Sequence, residues 1–143
     1  VLVFPANKKI FAMKKMLFAL LAAATLFATA CSKDQIRVRF QNTLDQDIAA
    51  ANMIFTEEHS TAVGLIPAGA TTKYIGFQYF ELAHGTPAGV LNGQKGDEEI
   101  NVWGGFWCGM DVEFKQLEPG DYTLKIEQLG SDSLIFYQMS FVD

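Results

Sequence analysis

The chain has 143 residues, half of them hydrophobic, with 16 acidic and 11 basic side chains and two cysteines. That length suits one ordinary domain. A formal charge of −5 removes the electrostatic basis for nucleic-acid binding, where affinity comes mainly from Lys and Arg on phosphates.

Residues 1–30 contain no Asp or Glu and four lysines, Lys8, Lys9, Lys14 and Lys15. From Met13 the sequence MKKMLFALLAAATLFATAC, ending at Cys31, has the basic start, apolar run and small residues of a secretory signal. The run from Met16 to Ala28 has 13 residues. A spanning helix needs about 20, so the segment is expected to be cleaved rather than kept as an anchor. Residues 1–12 add nothing such a signal needs, which points to Met13 as the start. A long basic leader is the alternative.

The stretch Ala28-Thr29-Ala30-Cys31 resembles the lipobox of bacterial lipoproteins, in which a small residue precedes the cysteine that becomes the lipidated N-terminus. The resemblance implies a diacylglyceryl group on Cys31 and usually a third acyl chain on its amino group. The family prefers Leu where this chain has Ala28. Ala28-Thr29-Ala30 also fits the A-x-A rule of ordinary signal peptidase, so a soluble exported product is the rival expectation. Each buried methylene contributes about 0.8 kcal/mol, so two or three acyl chains would anchor durably. Residues 31–35 then form a short tether, at most about 18 Å when extended, to the first strand at Ile36. Ser32 after the cysteine agrees with outer-membrane sorting in Gram-negative bacteria, facing either the periplasm or the surface. Without residues 1–30, seven basic side chains face sixteen acidic ones, a formal charge of about −9. Such a domain should be repelled by anionic headgroups, leaving the lipid as its attachment.

The remainder, residues 36–143, reads as β throughout. Ile36, Val38 and Phe40 alternate with Arg37, Arg39 and Gln41, the period of a half-buried strand. NTLDQD (Asn42 to Asp47) turns the chain into IAAANMIF. Val63 to Ile66 leads through Pro67-Ala68-Gly69 into TTKYIGFQYF, rich in β-formers. LAHGTPAGVLNGQKG (Leu82 to Gly96) reads as a loop with Val90 and Leu91 apolar enough for a short strand.

Residues 100–115, INVWGGFWCGMDVEFK, hold both tryptophans. Even positions are apolar or Gly and include Cys108, whereas odd positions are polar or Gly except Trp103 and Trp107. In one extended strand these are opposite faces. Continuity with a bend or bulge at Gly104-Gly105 is expected, and a hairpin turn there is the competing reading. The continuous reading makes Cys108 a core thiol and Trp103 and Trp107 an exposed aromatic platform for a glycan or a protein partner. The alternative is that the Glu81–Gly96 loop or a second chain covers the rings. With Cys31 acylated, Cys108 has no partner; with ordinary cleavage a Cys31–Cys108 disulfide becomes possible. Leu117-Glu118-Pro119-Gly120-Asp121 is a turn, Tyr122, Leu124 and Ile126 alternate after it, and Gly130 to Ser133 leads to a last strand, LIFYQMSFV.

Short strands with Gly, Pro and Asp turns imply an all-β fold, a single antiparallel β-sandwich of about seven to nine strands. IRVRFQNTLDQDI, GLIPAGATTKYIGF and LEPGDYTLKIE resemble the layout of small single-domain envelope lipoproteins with immunoglobulin-like or transthyretin-like sandwiches, many without an assigned activity. The resemblance implies fold and location and transfers no functional residue.

Catalytic and metal signals are weak. His59 and His84 lie in polar, loop-like stretches, no G-x-S-x-G occurs, and Cys108 sits in no protease signature. Glu57-Glu58-His59 and Asp97-Glu98-Glu99 lack metal-ligand spacing. The expectation is a non-catalytic binding or interaction module on the membrane, without cofactor or metal. The alternatives are an accessory subunit whose aromatic face is buried in a complex, or an inhibitor of an envelope enzyme.

Overall fold

The computed structural model describes residues 34–105, 111–131 and 133–143. These residues form eleven strands and no helix: β1 (Ile36–Asn42), β2 (Ile48–Ile54), β3 (Ser60–Ile66), β4 (Ile75–Phe77), β5 (Glu81–Ala83), β6 (Thr86–Pro87), β7 (Val90–Lys95), β8 (Glu98–Trp103), β9 (Phe114–Gln116), β10 (Gly120–Ser131) and β11 (Leu134–Phe141). Eight of them make one sheet in the order β3-β2-β7-β8-β11-β10-β1-β4, and β6-β5-β9 make a small second sheet.

The all-β class is as expected from the alternating patterns. The pairing is not antiparallel throughout. The large sheet is mixed and curls until it nearly forms a barrel. Two of its pairings are parallel: β1 with β10, from Ile36 opposite Gly120 to Asn42 opposite Ile126, and β11 with β8 at Tyr137 and Val102. Period-2 alternation specifies which face of a strand is buried, but it carries no information on the direction of the neighbouring strand. The parallel pairs join segments far apart in sequence, and nothing local announces them.

The inward residues follow parity closely. Val38 and Phe40 from β1 meet Leu124 and Ile126 from β10, and all four are fully buried. Burying a side chain of this size contributes about 1.5–3 kcal/mol. Ile48, Met53, Leu91, Val102 and Met139 extend the same core across β2, β7, β8 and β11.

Leu82–Gly96, expected to be largely loop, is mostly strand. His84 and Gly85 both have positive φ, 50° and 77°, and form the tight turn joining β5 to β6. The polar residues Asn92 and Gln94 then face outward on β7, while Leu91 and Gly93 face the core. Inward Gly93 leaves too little apolar pattern to be read as a strand. Its small size is required, because a Cβ there would press on Ile48.

One end of the near-barrel is held by Asn42, the one buried polar side chain among the described residues, at 1 % exposure. Its Nδ2 donates to the carbonyls of Ile66 and Gln46, each at 3.0 Å, and its Oδ1 accepts from the Leu44 amide at 2.9 Å. Nearby, the Ala68 amide donates to Asp47, and the Ala70 carbonyl accepts from the Asn42 amide. These bonds pin the end of β3 and the following turn against the end of β1.

Candidate functional site

β3 and β4 are the two edges of the large sheet, and no ladder joins them. Both belong to one chain reversal: β3 runs to Ile66, the chain turns through Pro67-Ala68-Gly69, and residues 70–77 return along β1. At the turn, the Asn42 side chain at the end of β1 donates to the Ile66 carbonyl at the end of β3. At the other end the two edges approach without pairing. A cavity of about 380 Å³ lies in that seam, lined by Ser60, Thr61 and Ala62 of β3, Gly76 of β4, and Glu58, His59, Gln78 and Tyr79. Its size falls in the range of small-ligand sites.

The mouth of the seam is held by local hydrogen bonds and ring contacts. The turn before β3 is locked by the Phe55 amide donating to the His59 carbonyl at 2.9 Å, and by Thr56 Oγ1, which accepts from the His59 amide and lies 2.9 Å from His59 Nδ1. The His59 ring stacks on Tyr79, with centroids 4.0 Å apart and planes at 23°. Tyr79 meets Phe55 edge-on at 5.7 Å, Phe55 meets Phe80 at 4.8 Å, and Phe80 meets Phe77 at 5.3 Å. An aromatic relay therefore runs from the surface into the core. Each such pair adds about 0.5–1.5 kcal/mol beyond area burial. The Tyr79 hydroxyl donates to Glu81 Oε1 at 2.7 Å, and this bond raises its pKa above the ordinary tyrosine value.

Chemically, the seam offers hydroxyls, an amide, a small-residue wall and strand edges. Thr56 and His59 form a turn, with Thr56 Oγ1 occupied by the His59 amide, rather than a nucleophile and base aimed at a shared point. Among the described residues, no group of three His, Cys, Asp or Glu side chains is placed to hold a metal ion.

Of the residues singled out from sequence, Trp103 ends β8, on its outer face, and is 42 % exposed. Ile100 and Val102 are buried and Asn101 exposed, so parity holds across β8. Val90 of β7 and Gln138 of β11 flank Trp103 in the sheet. The Leu82–Gly96 segment is thus a neighbouring strand of Trp103. Trp107 and Cys108 lie outside the described residues, as does Cys31.

β8 ends at Trp103, ahead of the glycines, and residues 106–110 lie outside the described residues. Gly104 is buried, and a Cβ there would overlap the Pro87 carbonyl oxygen, so the backbone needs glycine for this approach. The next strand among the described residues begins at Phe114, in the other sheet, where β9 pairs with β5. Continuous parity placed Phe114 in the core, but it is 56 % exposed. Once the chain leaves one sheet for another, alternation counted across the gap has no meaning.

The seam was missed in the sequence because its residues carry no shared motif. The one available signal was His59 and Tyr79 beside strand ends, and those positions look like ordinary turn residues. No family model and no curated protein matches the chain. Among solved structures, an NMR structure of a protein from Eubacterium rectale is similar at 14 % identity, covering 79 % of this chain and 93 % of that one, with a TM-score of 0.48.

Proposed function

We propose that this chain is a lipid-anchored cell-envelope protein of a Gram-negative bacterium, held in the outer membrane through acylated Cys31, whose β domain binds a partner without catalysis. The observation that carries the binding reading is the open seam between β3 and β4, a preformed cleft whose mouth is fixed by the His59–Tyr79 stack. The anchor rests on the signal-like residues 13–30, the lipobox-like Ala28–Cys31, and the layout resemblance to small envelope lipoproteins with immunoglobulin-like or transthyretin-like sandwiches. The partner is a larger envelope protein or a glycan. Both are reachable from a short tether, and both can use the hydroxyl, amide and aromatic groups of the seam.

Two experiments test the parts separately. Mass spectrometry of the membrane-extracted protein should find Cys31 acylated, and an unmodified Cys31 on a soluble product overturns the anchor. Photo-crosslinking in cells from a benzoyl-phenylalanine at Ala62 or Gln78 should give a discrete adduct that is absent when the probe replaces Gln94 on β7. Equal labelling from all three positions overturns the seam as the binding site.

A second reading has its own observation. Trp103, Phe114, Leu134 and Ile135 are large apolar side chains 42–67 % exposed. An accessory subunit that buries them in an assembly accounts for that exposure, and crosslinks from Trp103 in place of those from Ala62 would favour it.

A further inference from the structure

The chain contains two arginines, Arg37 and Arg39, both on the outer face of β1. Their neighbours on β10 differ. Arg37 lies opposite Asp121 and binds it with both forks, Nε to Oδ1 at 2.6 Å and Nη2 to Oδ2 at 2.5 Å. Arg39 lies opposite Thr123 and donates its Nε to Thr123 Oγ1 at 2.9 Å. Its guanidinium carbon also sits 5.0 Å from the centroid of the Tyr74 ring, as Arg37 does at 5.3 Å. Among the described residues, the two Nη groups of Arg39 have no hydrogen-bond or carboxylate partner.

Arg39 is therefore a guanidinium fixed on one edge and one face, with its outer N–H groups unspent. It lines a cleft of about 540 Å³ with Tyr74, Thr123, Val142 and Asp143, none of which belongs to the seam. A planar fork held in place loses little conformational freedom when it binds a planar oxyanion. The other charges in the cleft narrow the class. Asp121 is already matched by Arg37, and Asp143 adds a negative charge that opposes a multiply charged ligand. Tyr74, 39 % exposed, and Val142, 45 % exposed, supply an apolar side.

We propose that Arg39 is the recognition centre of a binding site for a monocarboxylate on an apolar or aromatic stem. The carboxylate accepts from the Arg39 Nη groups while the stem lies against Tyr74 and Val142. This site is independent of the seam and of the lipid anchor.

Two arginines give two Nε–Hε signals in a nitrogen-15 correlation spectrum, which makes the test direct. The protein is titrated with benzoate, with inorganic phosphate as the contrasting anion, and Arg39→Lys assigns the signals. Benzoate should shift the Arg39 Nε signal and the Thr123 amide saturably, with the Arg37 signal moving less. Arg39→Gln should weaken binding about 10- to 100-fold, the usual loss for removing a charged hydrogen-bond partner. Arg39→Lys should weaken it severalfold, because the charge stays and the fork is lost. Asp143→Asn should tighten it. An Arg39 signal that does not move with benzoate, or benzoate binding undiminished in a folded Arg39→Gln protein, overturns the site. Phosphate binding more tightly than benzoate overturns the monocarboxylate class.

Discussion

Replacing Asn42 by alanine tests whether the near-barrel is held at one end by a single side chain. The substitution strands three backbone groups at once. The Ile66 carbonyl and the Leu44 amide bond to Asn42 in buried positions, whereas the Gln46 carbonyl is part-buried, so water can replace its lost donor. Leaving a buried donor or acceptor unmatched costs about 1–3 kcal/mol. Two such groups set a range of about 2–6 kcal/mol, which water entering the vacated space lowers toward about 3. For a domain of this size that corresponds to a fall in Tm of roughly 12 °C. Urea unfolding followed by tyrosine and tryptophan emission measures it, and an unchanged slope with denaturant shows that stability, rather than compactness, has moved. Asn42→Asp is the companion variant. It keeps the acceptor for Leu44 but faces two carbonyls with a carboxylate instead of a donor. Burial raises that carboxyl's pKa above its unfolded value, so the native state is favoured below the unfolded pKa and loses that advantage as pH rises. The Asp variant should therefore be less impaired at pH 4 than at pH 7, relative to wild type. A cost below about 1 kcal/mol for Asn42→Ala refutes the reasoning, since it lies beneath a single orphaned group.

Gly104→Ala should destabilise by about 1–3 kcal/mol or more, because its Cβ meets the Pro87 backbone rather than a movable side chain; chemical denaturation checks it. In a Trp107→Phe protein, emission from Trp103 should be red-shifted and quenched by acrylamide, as its 42 % exposure requires, and blue, protected emission would contradict its place on the outer face. The Glu81 bond raises the Tyr79 pKa, so its contribution is whole below the ordinary tyrosine pKa of 10.0 and is lost as pH rises through the higher folded value. In an ultraviolet absorbance titration the Tyr79 ionisation should move earlier in Glu81→Gln.

The strands were legible wherever each residue's side chain faces either core or solvent. β1 is the clearest case: Ile36, Val38 and Phe40 are buried and Arg37 and Arg39 are not. β10 repeats the pattern at Leu124 and Ile126, and β8 at Ile100 and Val102. β7 was half hidden because Gly93 fills an inward position without adding hydrophobicity. The stretch 100–115 failed where alternation was carried through Gly104, since the next described strand, β9, belongs to a different sheet.

For the candidate sites the division is sharper. Trp103 could be assigned to an exposed face from the residues beside it. His59 and Tyr79 lie twenty positions apart, and the ring stack between them exists because two sheet edges approach without pairing. Arg39 reads like Arg37 in the sequence. What separates them is the parallel register with β10, which places Asp121 beside one and Thr123 beside the other.

By itself the sequence determined the all-β class and the inward face of most strands. Each of these depends on residue type within one short window. Strand direction, the unclosed seam and the unmatched charge on Arg39 were decided by tertiary structure, because each depends on which distant segment becomes a neighbour.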